Sequence, residues 1–287
     1  MFSTKITTFI GTFFSVLALS SCISPTGNLQ AEVNEFKKEF PNQIQKYDGK
    51  NRTMNYAWSG DSAKQALLFV HGSPGSWEGW VHFLRDPELL KNFQLIAIDR
   101  PGYGGSGEGK TEVSLAAQAE DLLEVLKVNK SQRPAILIGH SYGGPVIARA
   151  AMDHPEKVAG LIFVASSVDP DLESTKWFQY PATWWPFRVL IPAALRVCNE
   201  EILPLKAELQ KMAPLWKNIS AKVVLIQGQK DDLVPPGNLD YLIKNLNQTN
   251  VVKIFKIQEM NHFVPWQHPE LIFQGIHEIN AALRSGD

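Results

Sequence analysis

The run Ile136-Leu-Ile-Gly-His-Ser-Tyr-Gly-Gly144 leads an apolar strand straight into a serine flanked by glycines. A serine hydroxyl attacks only when it projects into a site beside a base, and a sharp strand-to-helix turn with small neighbours achieves this. Gly139 and Gly143 leave room for such a turn around Ser141. Five letters alone would be a weak signal, but Ala135 to Ile138 reads as a buried parallel strand and Pro145 to Met152 as the helix after it. A nucleophilic serine also needs a histidine within hydrogen-bond reach, a carboxylate to orient that histidine, and N–H donors for the oxyanion.

The elements that must position these groups alternate along the chain. Met54 to Ser59, Leu67 to Val70, Phe93 to Ile98, Ala135 to Ile138, Gly160 to Ala165, Val223 to Ile226 and Val251 to Ile257 read as strands. Leu115 to Leu126 carries leucines at helical spacing, and the region from Pro269 to Leu283 forms a closing helix. This alternation implies an α/β fold with a mostly parallel sheet covered on both faces. The pattern breaks between Val168 and about Leu215, where Trp177, Phe178, Tyr180, Trp184, Trp185 and Phe187 crowd a segment punctuated by Pro181, Pro186, Pro192 and Pro204. That segment reads as an inserted helical cap. Its rings form the cap's own small core, with some facing a pocket beneath.

With these residues in view, the chain resembles the α/β-hydrolase family from about Met54 onward. The resemblance implies the eight-stranded type of mostly parallel sheet with a small cap. It also implies a triad in the order Ser, Asp, His. Val223-Val-Leu-Ile-Gln-Gly-Gln-Lys-Asp-Asp-Leu-Val-Pro235 is similar to the strand and loop that present the family's carboxylate, and the Gly-x-x-Asp spacing after Gly228 favours Asp231 over Asp232. His262, in Glu259-Met-Asn-His-Phe263, falls between the last strand and last helix, where the family places its base; His268, the near alternative, starts a helix at His-Pro-Glu. Asn261 stands where the family more often has glycine, and asparagine tolerates a left-handed backbone there. His71-Gly-Ser-Pro-Gly75 resembles the oxyanion loop, which implies the N–H groups of Ser73 and Tyr142 as donors; Pro74 has none to offer. His71 and His140 occupy motif positions whose rings support loops, and His82, His154 and His277 lie on helices or their ends. Asp99-Arg-Pro-Gly-Tyr-Gly-Gly-Ser106 matches a further family loop and is assigned a structural role.

The remaining features bound the function. The 287 residues suffice for one α/β domain with an insertion, and a net charge of −1 with scattered basic residues excludes a nucleic-acid footprint. Met1 to Lys5 followed by the apolar Ile6 to Leu19 reads as a signal peptide, too short to span a membrane. Leu19-Ser-Ser-Cys22 resembles a bacterial lipobox, which implies lipidation of Cys22 and a membrane anchor; ordinary cleavage with Cys22 as a spectator is the alternative. Ile23, standing where an aspartate would favour inner-membrane retention, points to an outer-membrane lipoprotein facing the periplasm of a Gram-negative bacterium. Once Cys22 is lipidated, Cys198 has no partner for an internal disulfide and reads as a small buried residue. No metal-ligand spacing links Cys198, His262, Asp231 and Asp232, so neither a catalytic metal nor another cofactor is expected.

The expected organisation is therefore a signal peptide over residues 1–21, a tether and N-terminal segment over 22–53, a core over 54–167 and 216–287, and a cap over 168–215. The expected activity is that of a serine hydrolase acting on carboxylic esters of small or medium apolar groups. Serine at the turn argues against the family's aspartate-nucleophile branches, the dehalogenases and epoxide hydrolases. Lactones, thioesters, amides and carbon–carbon bonds stay open, as do cofactor-free haloperoxidase or perhydrolase chemistry and a non-catalytic binding role. Oligomeric state is not legible in the sequence.

Overall fold

In the computed structural model, residues 29–174, 179 and 191–285 are described. The apolar runs assemble into strands β1 (Ile44–Asp48), β2 (Thr53–Ser59), β3 (Gln65–Val70), β4 (Phe93–Ile98), β5 (Ala135–His140), β6 (Val158–Val164), β7 (Lys222–Gly228) and β8 (Val251–Ile257). They form one eight-stranded sheet in the order β1-β2-β4-β3-β5-β6-β7-β8. β1 and β2 run antiparallel to their neighbours, and every pairing from β4 through β8 is parallel. The helices are α1 (Leu29–Glu39), α2 (Val81–Leu84), α3 (Pro87–Asn92), α4 (Leu115–Glu124), α5 (Gly143–Asp153), α6 (Ala193–Ile202), α7 (Leu205–Met212), α8 (Gly237–Asn245), α9 (Val264–Gln267) and α10 (Pro269–Arg284).

Because helices cover both faces, β3, β4 and β5 are buried at every position, which is why they read as predominantly apolar runs without alternation. The period-two alternation of a strand divides their side chains between two layers. Leu68, Val70 and Leu137 face Leu122 of α4, Val146 of α5 and Leu242 of α8. Leu67, Phe69 and Ile138 face Phe36 of α1, Phe83 of α2 and Ile276 of α10. Parallel strands all end on one edge, so the loops after β3, β5, β7 and β8 converge there.

The N-terminal segment differs from expectation. Within the stretch over 22–53 expected as a tether and N-terminal segment running into a short helix around Leu29 to Phe40, Ile44–Asp48 adds a strand, pairing with β2 as the sheet's edge strand. Its sequence, Ile-Gln-Lys-Tyr-Asp, leaves every residue at least partly exposed, so it lacks the apolar signal of the interior strands. α1 also belongs to the body: Val33 and Phe36 are buried, and the Phe36 ring lies 5.5 Å from that of Trp77.

Within the inserted segment, α7 buries Leu205, Leu209 and Met212 in the same layer as Val146, so this part of the insertion is packed into the body. Trp216 just beyond it is buried beside Phe163 and Tyr241, at 6.3 and 6.0 Å between ring centroids. The aromatic residues Trp177, Phe178, Tyr180, Trp184, Trp185 and Phe187, together with Pro181 and Pro186, lie outside the described residues. So do residues 1–21 and Cys22.

Candidate active site

β5 ends at His140 and α5 begins at Gly143, leaving Ser141 and Tyr142 to make the whole turn. Ser141 does so at φ +54°, the left-handed region that costs a serine about 1–2 kcal/mol. Three backbone hydrogen bonds hold it there: its N–H donates to the Val164 carbonyl at 2.9 Å, and its carbonyl accepts from Gly144 and Ser167 N–H groups at 3.0 and 3.3 Å. The flanking glycines are a matter of space. A Cβ on Gly143 would stand 2.4 Å from the Val70 carbonyl oxygen, and one on Gly139 would stand 2.6 Å from that of Gly143. The turn therefore presses α5 against the end of β3.

The loops after β7 and β8 are joined to each other, with the Lys230 N–H donating to the Met260 carbonyl at 3.0 Å. This brings Asp231 beside His262, whose Nδ1 lies 2.8 Å from Asp231 Oδ2. Asp231 Oδ1 accepts from the Leu233 and Val234 N–H groups at 3.0 and 2.8 Å, which fixes the carboxylate plane. Both side chains are buried, whereas Asp232 is exposed. An ionised carboxylate on Nδ1 stabilises the tautomer whose Nε2 is free to take a proton. Asn261 does not use the left-handed backbone its type allows: among the described residues the non-glycine residues with positive φ are Asn42, Gln132, Ser141 and Ala165, and Asn261 Oδ1 instead accepts from the Phe263 N–H at 2.9 Å.

His140, immediately before Ser141, places His262 at the turn. Its Nε2 lies 3.0 Å from the His262 carbonyl oxygen and its ring centroid 4.7 Å from that of His262. No hydrogen bond joins the Ser141 hydroxyl to His262 among the described residues. Such contacts are often long in a resting enzyme and tighten around substrate.

The loop after β3 runs against the turn, since a Cβ on Gly72 would come within 2.9 Å of the Ser141 Cβ. The Gly72 carbonyl accepts from Arg100 Nη2 at 2.9 Å and from His71 Nδ1 at 2.7 Å. In a planar trans peptide the carbonyl and the following N–H point in opposite directions. Anchoring the Gly72 carbonyl on Arg100 thus turns the Ser73 N–H away from the guanidinium. Neither the Ser73 N–H nor the Tyr142 N–H has a hydrogen-bond partner among the described residues. Two free donors, a serine on a strained turn and an oriented imidazole are the parts needed for acyl transfer.

The matches to known proteins agree with this frame. The alpha/beta hydrolase fold family matches residues 65–193. The chain has the α/β-hydrolase fold. It is 39% identical over 106 residues to the pimeloyl-[acyl-carrier protein] methyl ester esterase of Edwardsiella ictaluri, covering 37% of this chain and 38% of that one. It is 27% identical over 208 residues to epoxide hydrolase 1 of Caenorhabditis elegans, covering 68% of this chain and 48% of the relative. The chain thus spans less than half the length of either. A thermophilic esterase from Thermogutta terrifontis superposes with a TM-score of 0.65 at 20% identity over 85% of this chain and 98% of the esterase. In this fold the serine turn follows β5, the carboxylate follows β7 and the histidine follows β8.

Other groups lie around the site without taking part in the triad. Cys198 is buried on α6, and burial pushes its thiol up to about 12, so it stays protonated. Among the described residues no cluster of three His, Cys, Asp or Glu side chains is arranged to hold a metal ion. Sequence reasoning gave Arg100 only a general structural role. The signal for more was its place just after β4, on the edge where the loops after β3, β5, β7 and β8 converge.

The supporting histidines are held neutral. Burial, then the neighbouring His262, lowers His140 to about 3, and burial lowers His82 to about 4 against a partly compensating hydrogen bond to the Pro265 backbone. His71 is lowered well below the ordinary range by burial, then by Arg100. These groups titrate near 6.5 in an unfolded chain. Below that value the unfolded chain therefore binds protons the folded chain refuses. Their stabilising contribution is complete above about pH 6.5 and is lost as pH falls toward the folded values, at about 1.4 kcal/mol per pH unit for each histidine. The guanidinium chloride midpoint is expected to drop between about pH 7.5 and pH 5. An equal or higher midpoint at the lower pH contradicts this.

Proposed function

We propose that the protein is a serine hydrolase that cleaves carboxylic esters of small or medium apolar groups without a metal. The observation that carries this reading is the left-handed turn at Ser141 beside the Asp231–His262 pair, with Nδ1 of His262 2.8 Å from the carboxylate. His262 Nε2 takes the proton from the Ser141 hydroxyl as the oxygen attacks the ester carbonyl. The Ser73 and Tyr142 N–H groups receive the oxyanion, and the imidazolium protonates the departing alcohol. Water activated by the same histidine then releases the acid from Ser141. Similarity to a methyl ester esterase supports the ester bond as the target. Similarity to an epoxide hydrolase is weighed against the residue at the turn, a serine rather than the carboxylate that branch of the family uses.

The N-terminal Leu19-Ser-Ser-Cys22 motif supports a further part of the proposal, that the enzyme is anchored by lipid on Cys22 at the periplasmic face of an outer membrane. Mass spectrometry of the N-terminal peptide from membrane extracts of the native host is expected to find an acylated Cys22. An unmodified cysteine there overturns the anchor and leaves the chemistry untouched.

Hydrolysis of p-nitrophenyl esters by the full chain tests the chemistry. Ser141→Ala is expected to lower kcat by at least about a thousandfold. Asp231→Asn is expected to lower it by at least about a hundredfold through the wrong histidine tautomer, while Asp232→Asn stays within about twofold. Ester turnover that survives in Ser141→Ala, or equal losses at the two aspartates, contradicts the assignment.

A further inference from the structure

Arg100 is completely buried, and each of its five side-chain N–H bonds has an acceptor. Nε donates to the His71 carbonyl at 2.9 Å; Nη1 donates to Gln118 Oε1 and Glu201 Oε2, each at 2.9 Å; Nη2 donates to the Gly72 carbonyl at 2.9 Å and to Glu201 Oε1 at 2.8 Å. The guanidinium carbon also stands 4.5 Å from the centre of the Tyr142 ring. A single cation thus touches the residues that carry both free N–H groups, the Gly72–Ser73 peptide and Tyr142.

Its counter-ion comes from the inserted segment. Glu201, on α6, is fully buried and sits two residues before Leu203, where the chain passes toward α7. Beyond its two bonds to Arg100, Glu201 Oε1 accepts from the Tyr103 hydroxyl at 2.6 Å. That hydroxyl lies 2.9 Å from Ser73 Oγ, and because its own proton is committed to Glu201, Ser73 donates to it. Glu201 therefore reaches Ser73 by two routes: through Arg100 to the Gly72 carbonyl, and through Tyr103 to the Ser73 side chain. Burial and the Glu201 charge raise Tyr103 well above the usual tyrosine range, so it remains a donor.

Resting on the function proposed above, we infer that Glu201 and Tyr103 are positioning residues for the oxyanion donor, and that the inserted segment sets the aim of the Ser73 N–H through Glu201. Removing Glu201 leaves a buried guanidinium without its counter-charge, free to draw on the His71 and Gly72 carbonyls in a new geometry. Rotation of the Gly72–Ser73 peptide follows. Because an oxyanion donor acts on the transition state and not on the bound ester, the loss falls on kcat.

The test compares the wild-type full chain with Glu201→Gln and Tyr103→Phe on a p-nitrophenyl ester, and measures inhibition by phenylboronic acid, whose serine adduct is tetrahedral. Each variant is expected to lose about tenfold or more in kcat with KM within about twofold. The boronic acid inhibition constant should rise by a similar factor. Tyr103→Phe removes one hydroxyl and keeps the ion pair, so it decides the question if Glu201→Gln does not fold. A rise in KM with unchanged kcat, or boronate affinity equal to wild type in folded variants, overturns the inference and leaves the serine hydrolase standing. A wild-type chain that neither turns over esters nor takes a fluorophosphonate on Ser141 removes both.

Discussion

The left-handed backbone of Ser141 is the constraint on which the site depends. A serine adopts φ +54° only where its surroundings outweigh the cost, and here the Val164 carbonyl, the Gly144 and Ser167 N–H groups and the close approach of Gly143 to Val70 supply them. The turn makes the end of β3, the end of β6 and the start of α5 a single packed unit. Once that unit exists, the loop after β3 lies alongside the serine, and the loops after β7 and β8 bring the carboxylate and imidazole to the same edge.

The polar groups around that unit are arranged by charge and tautomer. Asp231 is held by two backbone N–H groups before it meets His262, so the imidazole adapts to the carboxylate rather than the reverse. His71 and His140 are kept neutral by burial; His140 acts through a hydrogen bond to the His262 carbonyl, and His71 donates from Nδ1 to the Gly72 carbonyl while its Nε2 accepts from the Arg100 N–H. Arg100 joins these groups, and its buried partner Glu201 ties the inserted segment to the loop after β3. A buried ion pair of this kind contributes little net stability against an apolar replacement, and its value here is geometric.

Much of this was legible in the residues because most strands are predominantly apolar. Phe93–Ile98 and Val251–Ile257 have the bounds their sequences suggest, and the order Ser, Asp, His matches loops that the parallel sheet gathers on one edge. The misses have physical reasons. Ile44–Asp48 is an exposed edge strand held by backbone pairing, which leaves no hydrophobic signature. Glu201 carries no local signal, since only the tertiary fold brings Arg100 to it. At Asn261 the turn is held by a side-chain hydrogen bond to the Phe263 N–H, without the left-handed backbone that asparagine tolerates.

The central claim is that Ser141 attacks a carbonyl whose developing oxyanion is received by Ser73 and Tyr142. A crystal structure of the full chain after reaction with an aryl phosphonate tests this most directly. Phosphorus is expected on Ser141 Oγ, with the phosphoryl oxygen within about 3 Å of both the Ser73 and Tyr142 nitrogens. Phosphorus on another residue, or a phosphoryl oxygen turned away from those nitrogens, would contradict it.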